Sequence, residues 1–488
     1  MIKNNSTMYQ IITDRFNNDE SNLSQLRHSP DYNSLFKTYM GGTFKGIKNK
    51  ADYLQNLGVS HIIISPVQAN NGSNSYHGYH PVNPERINPN FGTPEDLKDL
   101  IRHLEKKDIN VVLDYITTHI SSESELFREK MSDSSTRTWF ITKELLRNPE
   151  YGEYASSIVN KLTDGDTKNI NEINQSEDYF GYFGLKELPL FNLLNPDVIN
   201  WHSQNLKSLI KEYGFSDVRL DSGFIHPRRT IKKLTESIHD LKKDASVLVE
   251  YWPFYGLSSG ECYGFCDGEF DVTGTIFLNE YDKNPKAIEY LKQHFFRIRG
   301  LDKANYKFIT GLTNHDLPRF QGDPESQKLG AILNFTIPPF IPIMLYGEEI
   351  PLETINDRQD RIALSRDLME FQSEPHLFTF YKKLIDFRKK YNEKTTLTNF
   401  QINDIQGGYH NQLVSYNVNI LKPKKTNTYS VIINKEQRDK PVDLSFLLQE
   451  DVKPHDIITE KELQHVEDNK FLIKAKTGYI LDNKKNDL

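Results

Sequence analysis

From Met8 to about residue 390, short apolar, β-rich runs alternate with amphipathic helical stretches, and this rhythm commits the chain to a parallel sheet built from βα units. The predicted strands are Met8 to Asp14, His61 to Pro66, Asn110 to Tyr115, Asp217 to Asp221, Ser246 to Trp252, Phe270 to Thr275, Lys307 to Thr313 and Ile341 to Tyr346. Eight such strands predict a closed (β/α)8 barrel. The intervening helices carry their own signals. Thr93-Pro94-Glu95-Asp96 supplies an N-cap, a first-turn proline and acidic N-terminal residues ahead of a stripe of Leu97, Leu100, Ile101 and Leu104. Similar stripes run through Ile231, Leu234, Ile238 and Leu241, and through Leu377, Phe380, Tyr381, Leu384 and Phe387; these are core and carry no chemistry.

Two stretches break the rhythm. About a hundred residues separate the third strand from the fourth, where a βαβ unit needs about thirty, so residues 121–196, polar and turn-rich, are predicted to form an inserted subdomain over the barrel mouth. From residue 398 to 488, alternating runs such as Leu413-Val-Ser-Tyr-Asn-Val and Thr428-Tyr-Ser-Val-Ile-Ile predict a C-terminal antiparallel β-sandwich domain, leaving 1–120 and 197–397 to the barrel. A net charge of −7 over 488 residues implies no nucleic-acid surface. The longest apolar run, Ala331 to Tyr346, is broken by Pro338, Pro339 and Pro342, and reads as a helix end followed by a buried strand instead of a membrane span. The first residues lack the apolar segment and cleavage site of a signal peptide, which points to a cytoplasmic protein. Cys262 and Cys266 form a CxxxC with no second pair, a poor zinc signature, and read as idle thiols.

Barrels of this kind place reactive side chains at the carboxyl ends of their strands. Those ends here carry Asp114 and His119 (third), Arg219 and Asp221 (fourth), Glu250 (fifth) and Asn314-His315-Asp316 (seventh). Arg219 and Asp221, two apart on a strand, share a face, and an arginine beside a carboxylate is expected to lower its pKa, as suits a nucleophile. A single strand-end aspartate is commonly only the cap of the next helix, and a lone Arg-x-Asp only an ion pair; the convergence of several carboxylates on one mouth argues otherwise. A metal site built from Asp114, His119, Asp221 and His315 would bring Arg219 into the ligand shell, which disfavours it.

The ordered blocks Tyr9-Gln-Ile-Ile-Thr-Asp-Arg-Phe16, Gly41-Gly-Thr-Phe-Lys-Gly-Ile47, His77-Gly-Tyr79, Leu113-Asp-Tyr-Ile-Thr-Thr-His119, Val218-Arg-Leu-Asp221, Glu250-Tyr-Trp252, Thr313-Asn-His-Asp316 and Tyr346-Gly-Glu-Glu349 resemble glycoside hydrolase family 13, the α-amylase family. The resemblance implies that Asp221 is the nucleophile, Glu250 the general acid/base and Asp316 the carboxylate that stabilises the distorted sugar. It makes Asp114 the brace of Arg219, His119 and His315 the partners of sugar hydroxyls, and Tyr79 the platform beneath that sugar. Asp357 and Arg361 resemble the pair that clamps the non-reducing glucose, and four residues apart they equally suit a helical ion pair. A retaining glycosidase needs one ionised and one protonated carboxyl about 5 Å apart, which agrees with Arg219 on one side and the aromatic neighbours Tyr251 and Trp252 of Glu250 on the other.

The chain also departs from the family. Where calcium-binding members place asparagine and aspartate, it has Thr118 and, within Leu188-Pro-Leu-Phe-Asn192, Leu190; leucine offers calcium no oxygen, so the usual structural calcium is expected to be absent. After the nucleophile, a lysine-histidine pair is replaced by Ser222-Gly-Phe-Ile225 with His226 displaced by one, so contacts to the leaving-group sugars should differ, and Val249 stands where glycine is common and should crowd the site. The expected function is a retaining α-glycosidase acting on α-glucosidic bonds of malto-oligosaccharides or related α-glucans, with no organic cofactor and no nucleic-acid or membrane partner. Two alternatives stand beside it: transfer to a sugar or phosphate acceptor by the same mechanism, as in disproportionating transferases and sucrose phosphorylases, and a catalytically silent glucan-binding protein on the same fold.

Overall fold

The computed structural model describes residues 1–19, 26, 38–70, 72, 75–162, 178–252, 259–281, 283–284, 286–299, 306–320, 322–337, 340–350, 368–371, 377–392, 400–402, 406–408, 411–420, 427–448, 453–467 and 469–482. Eight parallel strands, β1 Met8–Ile11, β2 His61–Ile64, β3 Asn110–Tyr115, β4 Asp217–Leu220, β5 Val247–Tyr251, β6 Gly268–Asp271, β7 Lys307–Thr310 and β8 Phe340–Leu345, pair in sequence order. The barrel closes where β1 pairs β8, with Met8 opposite Ile343. Met8, Ile63, Val112, Leu248, Ile309 and Ile341 fill its interior, and a larger apolar layer joins the outer strand faces to the helices. Burying each such side chain contributes roughly 1.5–3 kcal/mol.

Helix α1, Pro94–Glu105, begins with a complete capping box between Thr93 and Asp96, and α2, Pro196–Tyr213, is capped by Asn195 and ends on Gly214 at φ 88°. Helix α3, Arg228–Leu241, buries Ile231, Leu234 and Ile238. The sixth strand lies two residues earlier than the β-rich run Phe270 to Thr275 suggests. Val272–Asn279 forms helix α4 instead, because Asp271 turns its carboxylate back onto the amide of Gly274 and starts a helix that outweighs the β preference of Val-Thr-Gly-Thr. Gly268 is required at the strand's start, since a Cβ there would lie 2.4 Å from the Lys307 carbonyl oxygen. As predicted, the apolar run after Ala331 is the end of helix α5, Pro324–Thr336, followed by β8.

Between β3 and α2 the chain folds over the barrel mouth around Ile120, Phe127, Trp139, Phe140, Phe191 and Leu193, tied back through a bridge between His119 and Leu190. Beyond helix α6, Phe378–Asn392, antiparallel strands form a seven-stranded and a three-stranded sheet, with Ile432, Leu444, Leu463, Ile473 and Leu481 in a small core of their own. This domain is moored to the barrel by the Tyr429 hydroxyl, which donates to the Thr336 carbonyl at 2.6 Å on the last residue of α5. Among the described residues, no helix is long and apolar enough to cross a membrane.

Candidate active site

Strands β3, β4 and β5 pair in register, so that Asp114 lies opposite Arg219 and Leu220 opposite Val249. This places Asp114, Arg219, Asp221 and Glu250 at one end of the barrel, all buried. Arg219 is the hub. Its Nη1 reaches Asp114 Oδ1 at 2.6 Å and Asp221 Oδ1 at 3.0 Å, while Nη2 reaches Glu250 Oε1 at 2.7 Å. The fork geometry of a guanidinium thus holds both acids that the sequence casts as catalytic, and the Tyr79 hydroxyl donates to the remaining oxygen of Asp114 at 2.8 Å. A small cavity of about 20 Å³ lies beside Arg219 and Glu250, lined also by Gln10, Asn314 and His315 among others.

Burial dominates the electrostatics. Asp221 is pushed up to about 6 and Glu250 to about 7, each chiefly by desolvation and each opposed by Arg219. This corrects the expectation that Arg219 sets Asp221 below the ordinary carboxylate range: the arginine pulls downward, but the loss of water outweighs it. Both shifts run upward, so both acids exchange protons nearer neutrality than free carboxyls do.

The histidines are placed by fixed neighbours. Gln10 Nε2 can only donate, so His315 Nδ1 accepts at 2.9 Å, and His315 Nε2 faces Asp316 Oδ2 at 3.2 Å. The His315 ring lies parallel to Tyr79, with centroids 5.1 Å apart. Asp316, with 29% of its side chain exposed, is the most open of the three candidate catalytic carboxyls. His119 donates from Nε2 to the Tyr79 carbonyl at 2.9 Å and accepts at Nδ1 from the Thr118 hydroxyl, so both ring nitrogens have protein partners, and burial lowers its pKa to about 4. Asp357 and Arg361 lie outside the described residues.

Two residues of this cluster were not foreseen. Tyr182, from the segment over the mouth, stacks on His119 with centroids 4.5 Å apart and bonds through its hydroxyl to Ser222 Oγ at 2.6 Å. Ser222 in turn touches two of the three candidate catalytic carboxyls, Asp221 and Glu250. The only sequence signal for Tyr182 is its place in Gly181-Tyr-Phe-Gly184, a tight turn in which Phe183 takes φ 50°.

A family model for the alpha-amylase catalytic domain matches residues 10–255. The chain belongs to the alpha-amylase family. Its relatives there are glycoside hydrolases and transglycosylases. It is 27% identical over 419 residues to a Dictyoglomus thermophilum protein named Alpha-amylase 2, a match covering 79% of this chain and 63% of that one. With the Cyclomaltodextrin glucanotransferase of Thermoanaerobacterium thermosulfurigenes it shares 28% over 429 residues, covering 78% and 54%. The chain therefore spans less than two thirds of the length of either curated relative. An Anoxybacillus alpha-amylase structure superposes with a TM-score of 0.77 at 23% identity over the whole of both chains, a likeness of fold.

Against the alpha-amylase family pattern, the departures take definite positions. His226 is turned inward: Nδ1 meets the Ser222 carbonyl at 3.1 Å, Nε2 meets the Thr117 hydroxyl, and burial lowers its pKa to about 4. Val249 does not crowd the acids as expected. It packs in the layer between strands and helices, where its Cβ would lie 2.7 Å from any Cβ on Gly223, so it wedges the turn after the candidate nucleophile. Thr118 spends its hydroxyl on His119 and its carbonyl on the Phe191 amide, and Leu190 is buried in apolar company.

Proposed function

We propose that this protein is a retaining α-glycosidase that cleaves α-glucosidic bonds in malto-oligosaccharides or related α-glucans by double displacement. The observation that carries the reading is the Arg219 fork, which holds Asp221 and Glu250 together at the strand ends. In the first step an Asp221 carboxylate oxygen bonds to the anomeric carbon as the glycosidic C–O bond breaks and Glu250 gives its proton to the departing oxygen. In the second, ionised Glu250 takes a proton from water, the water oxygen bonds to the anomeric carbon, and Asp221 leaves as carboxylate. Asp316, beside His315, is assigned to stabilise the positive charge that develops on the sugar ring; Tyr79 and His119 shape the pocket, Asp114 braces Arg219, and Asp357 and Arg361 are assigned to the non-reducing glucose.

A second reading, transfer to a sugar acceptor in place of water, is favoured by the likeness to a cyclomaltodextrin glucanotransferase. Product analysis on maltoheptaose, isomaltose, sucrose and trehalose, with and without phosphate and beside Asp221→Asn, separates the two. Glucose and short maltodextrins from maltoheptaose support hydrolysis; longer products or sugar phosphates support transfer. Equal inertness of wild type and variant on all four substrates would sink both.

We further propose that the chain holds no calcium at the position where family members commonly do. The donor set supports this: Leu190 supplies no oxygen, and the Thr118 hydroxyl already serves His119. One tight equivalent of calcium remaining at that segment after dialysis would overturn it.

A further inference from the structure

The residue after the candidate nucleophile stands in an unusual position. Ser222 adopts φ 53° and ψ 41°, a left-handed conformation that serine takes only under constraint. The constraint is visible: Gly223 is pressed so closely on β5 that an added Cβ would lie 2.7 Å from Val249 Cβ and 2.9 Å from the Glu250 carbonyl oxygen. In this conformation the Ser222 amide donates to Glu250 Oε2 at 3.0 Å while its hydroxyl donates to Asp221 Oδ2 at 3.0 Å. A hydroxyl carries one proton. Since Ser222 gives its own to Asp221, the 2.6 Å contact with Tyr182 must be a donation from the tyrosine, and the chain of bonds runs Tyr182 to Ser222 to Asp221.

We propose that Ser222 is a positioning residue that tunes the two carboxyls separately, its hydroxyl, which accepts from Tyr182, holding Asp221 in the attacking form and its main-chain amide holding Glu250. This rests on the glycosidase reading above. The hydroxyl favours the ionised Asp221 that attacks in the first step and leaves in the second. The amide favours the ionised Glu250 that takes the proton from water. Asp221 is also faced by Arg219, Asp114, Glu250, Asp316, Tyr79 and Tyr182, so Ser222 is one influence among several. Unlike the arginine and the carboxyls, its hydroxyl can be removed by a single side-chain deletion that neither creates nor deletes a charge.

The test is the pH dependence of kcat/KM for Ser222→Gly and Ser222→Ala on maltoheptaose, with thermal melts to verify folding. Glycine relieves the left-handed backbone while losing the hydroxyl, and alanine loses the hydroxyl and keeps the constraint. Both should lower kcat/KM about tenfold and move the acidic limb upward by about one pH unit, with the alkaline limb in place because the amide to Glu250 survives. Tyr182→Phe should give a smaller shift in the same direction and add nothing to Ser222→Gly. An unmoved acidic limb, equal movement of both limbs, or full recovery in Ser222→Gly of what Ser222→Ala loses would each overturn the inference. If wild type cleaves no glucan, the glycosidase reading fails by itself; carbon-13 NMR titration of Asp221, assigned through Asp221→Asn, then decides Ser222. An upward shift in Ser222→Gly upholds the hydrogen-bond role, and an unchanged titration removes it.

Discussion

Two pairs of buried acids stand at strand ends of this barrel, and their surroundings differ in kind. Asp221 and Glu250 share the guanidinium of Arg219, which with Glu250 lines a small cavity. Glu348 and Glu349, just after β8, are equally buried, but they accept hydrogen bonds chiefly from hydroxyls and an amide, with Arg319 a lesser electrostatic influence on both. Tyr381 donates to Glu348 at 2.8 Å, the Leu345 amide does so at 3.2 Å, and Tyr9 and Tyr53 each donate to Glu349 at 2.6 Å. Burial raises both members of each pair. Direct ion pairs to Arg219 oppose burial at the first pair, whereas at Glu348 hydrogen bonds from Tyr381 and the Leu345 amide and a weaker pull from Arg319 leave burial to push it up to about 8. Depth alone therefore does not mark a catalytic acid; the direct ion pairs to Arg219 are what set Asp221 and Glu250 apart.

The sharpest way to break this contrast is to remove the acids. Asp221→Asn should lower kcat on the order of 10⁴-fold with the fold intact, while Glu349→Gln should leave kcat within about threefold, since amide and acid both accept from Tyr9 and Tyr53. Comparable losses in the two variants would erase the distinction. Next in size is Arg219→Met, which leaves the surrounding carboxyls buried without their cation and should cost about 3–5 kcal/mol in urea unfolding, with activity lost as well.

The pH responses should also part company. Activity should rise with pH as Asp221 ionises near 6 and fall as Glu250 loses its proton near 7, giving a narrow bell centred between them. Glu348 acts on stability instead. Its folded pKa, at about 8, lies above the unfolded value, so its contribution is complete below the unfolded value and is lost as pH rises through 8. Unfolding free energy should therefore fall by a few kcal/mol between about pH 4.5 and 8, and Glu348→Gln should flatten that slope. A bell unchanged in Glu348→Gln, beside a flattened stability curve, would sharpen the comparison most. The smallest expected effect is that of a chelator, which should shift the melting temperature by less than about 1 °C if no calcium braces the segment over the mouth.

Sequence and structure agree where local pattern decides. The strand ends of β3, β4 and β5 could be read because short apolar, β-rich runs stop at charged residues, and the ordered motifs carried the family. The run Phe270 to Thr275 was misread as strand because Asp271 sits inside a β-rich pattern, and only its carboxylate on the Gly274 amide reveals the helix that starts there. The shift of Asp221 went the wrong way because spacing reveals Arg219 but not how completely water is excluded. Ser222 and Tyr182, forty residues apart in sequence, meet only through the fold, and no periodicity announces a residue whose value lies in a left-handed turn.

The closing of the barrel between β1 and β8 also has a consequence for how the chain is made. Met8 pairs with Ile343, so during synthesis the first strand emerges long before the partner that covers its second edge. At about 5–20 residues per second, that partner follows roughly 17–70 seconds later. Throughout that interval the nascent sheet presents an unpaired, apolar β edge, the kind of surface that invites association with a neighbouring polysome product. Yield in a host should thus respond to translation rate and to chaperone supply more steeply than the stability of the finished molecule would suggest.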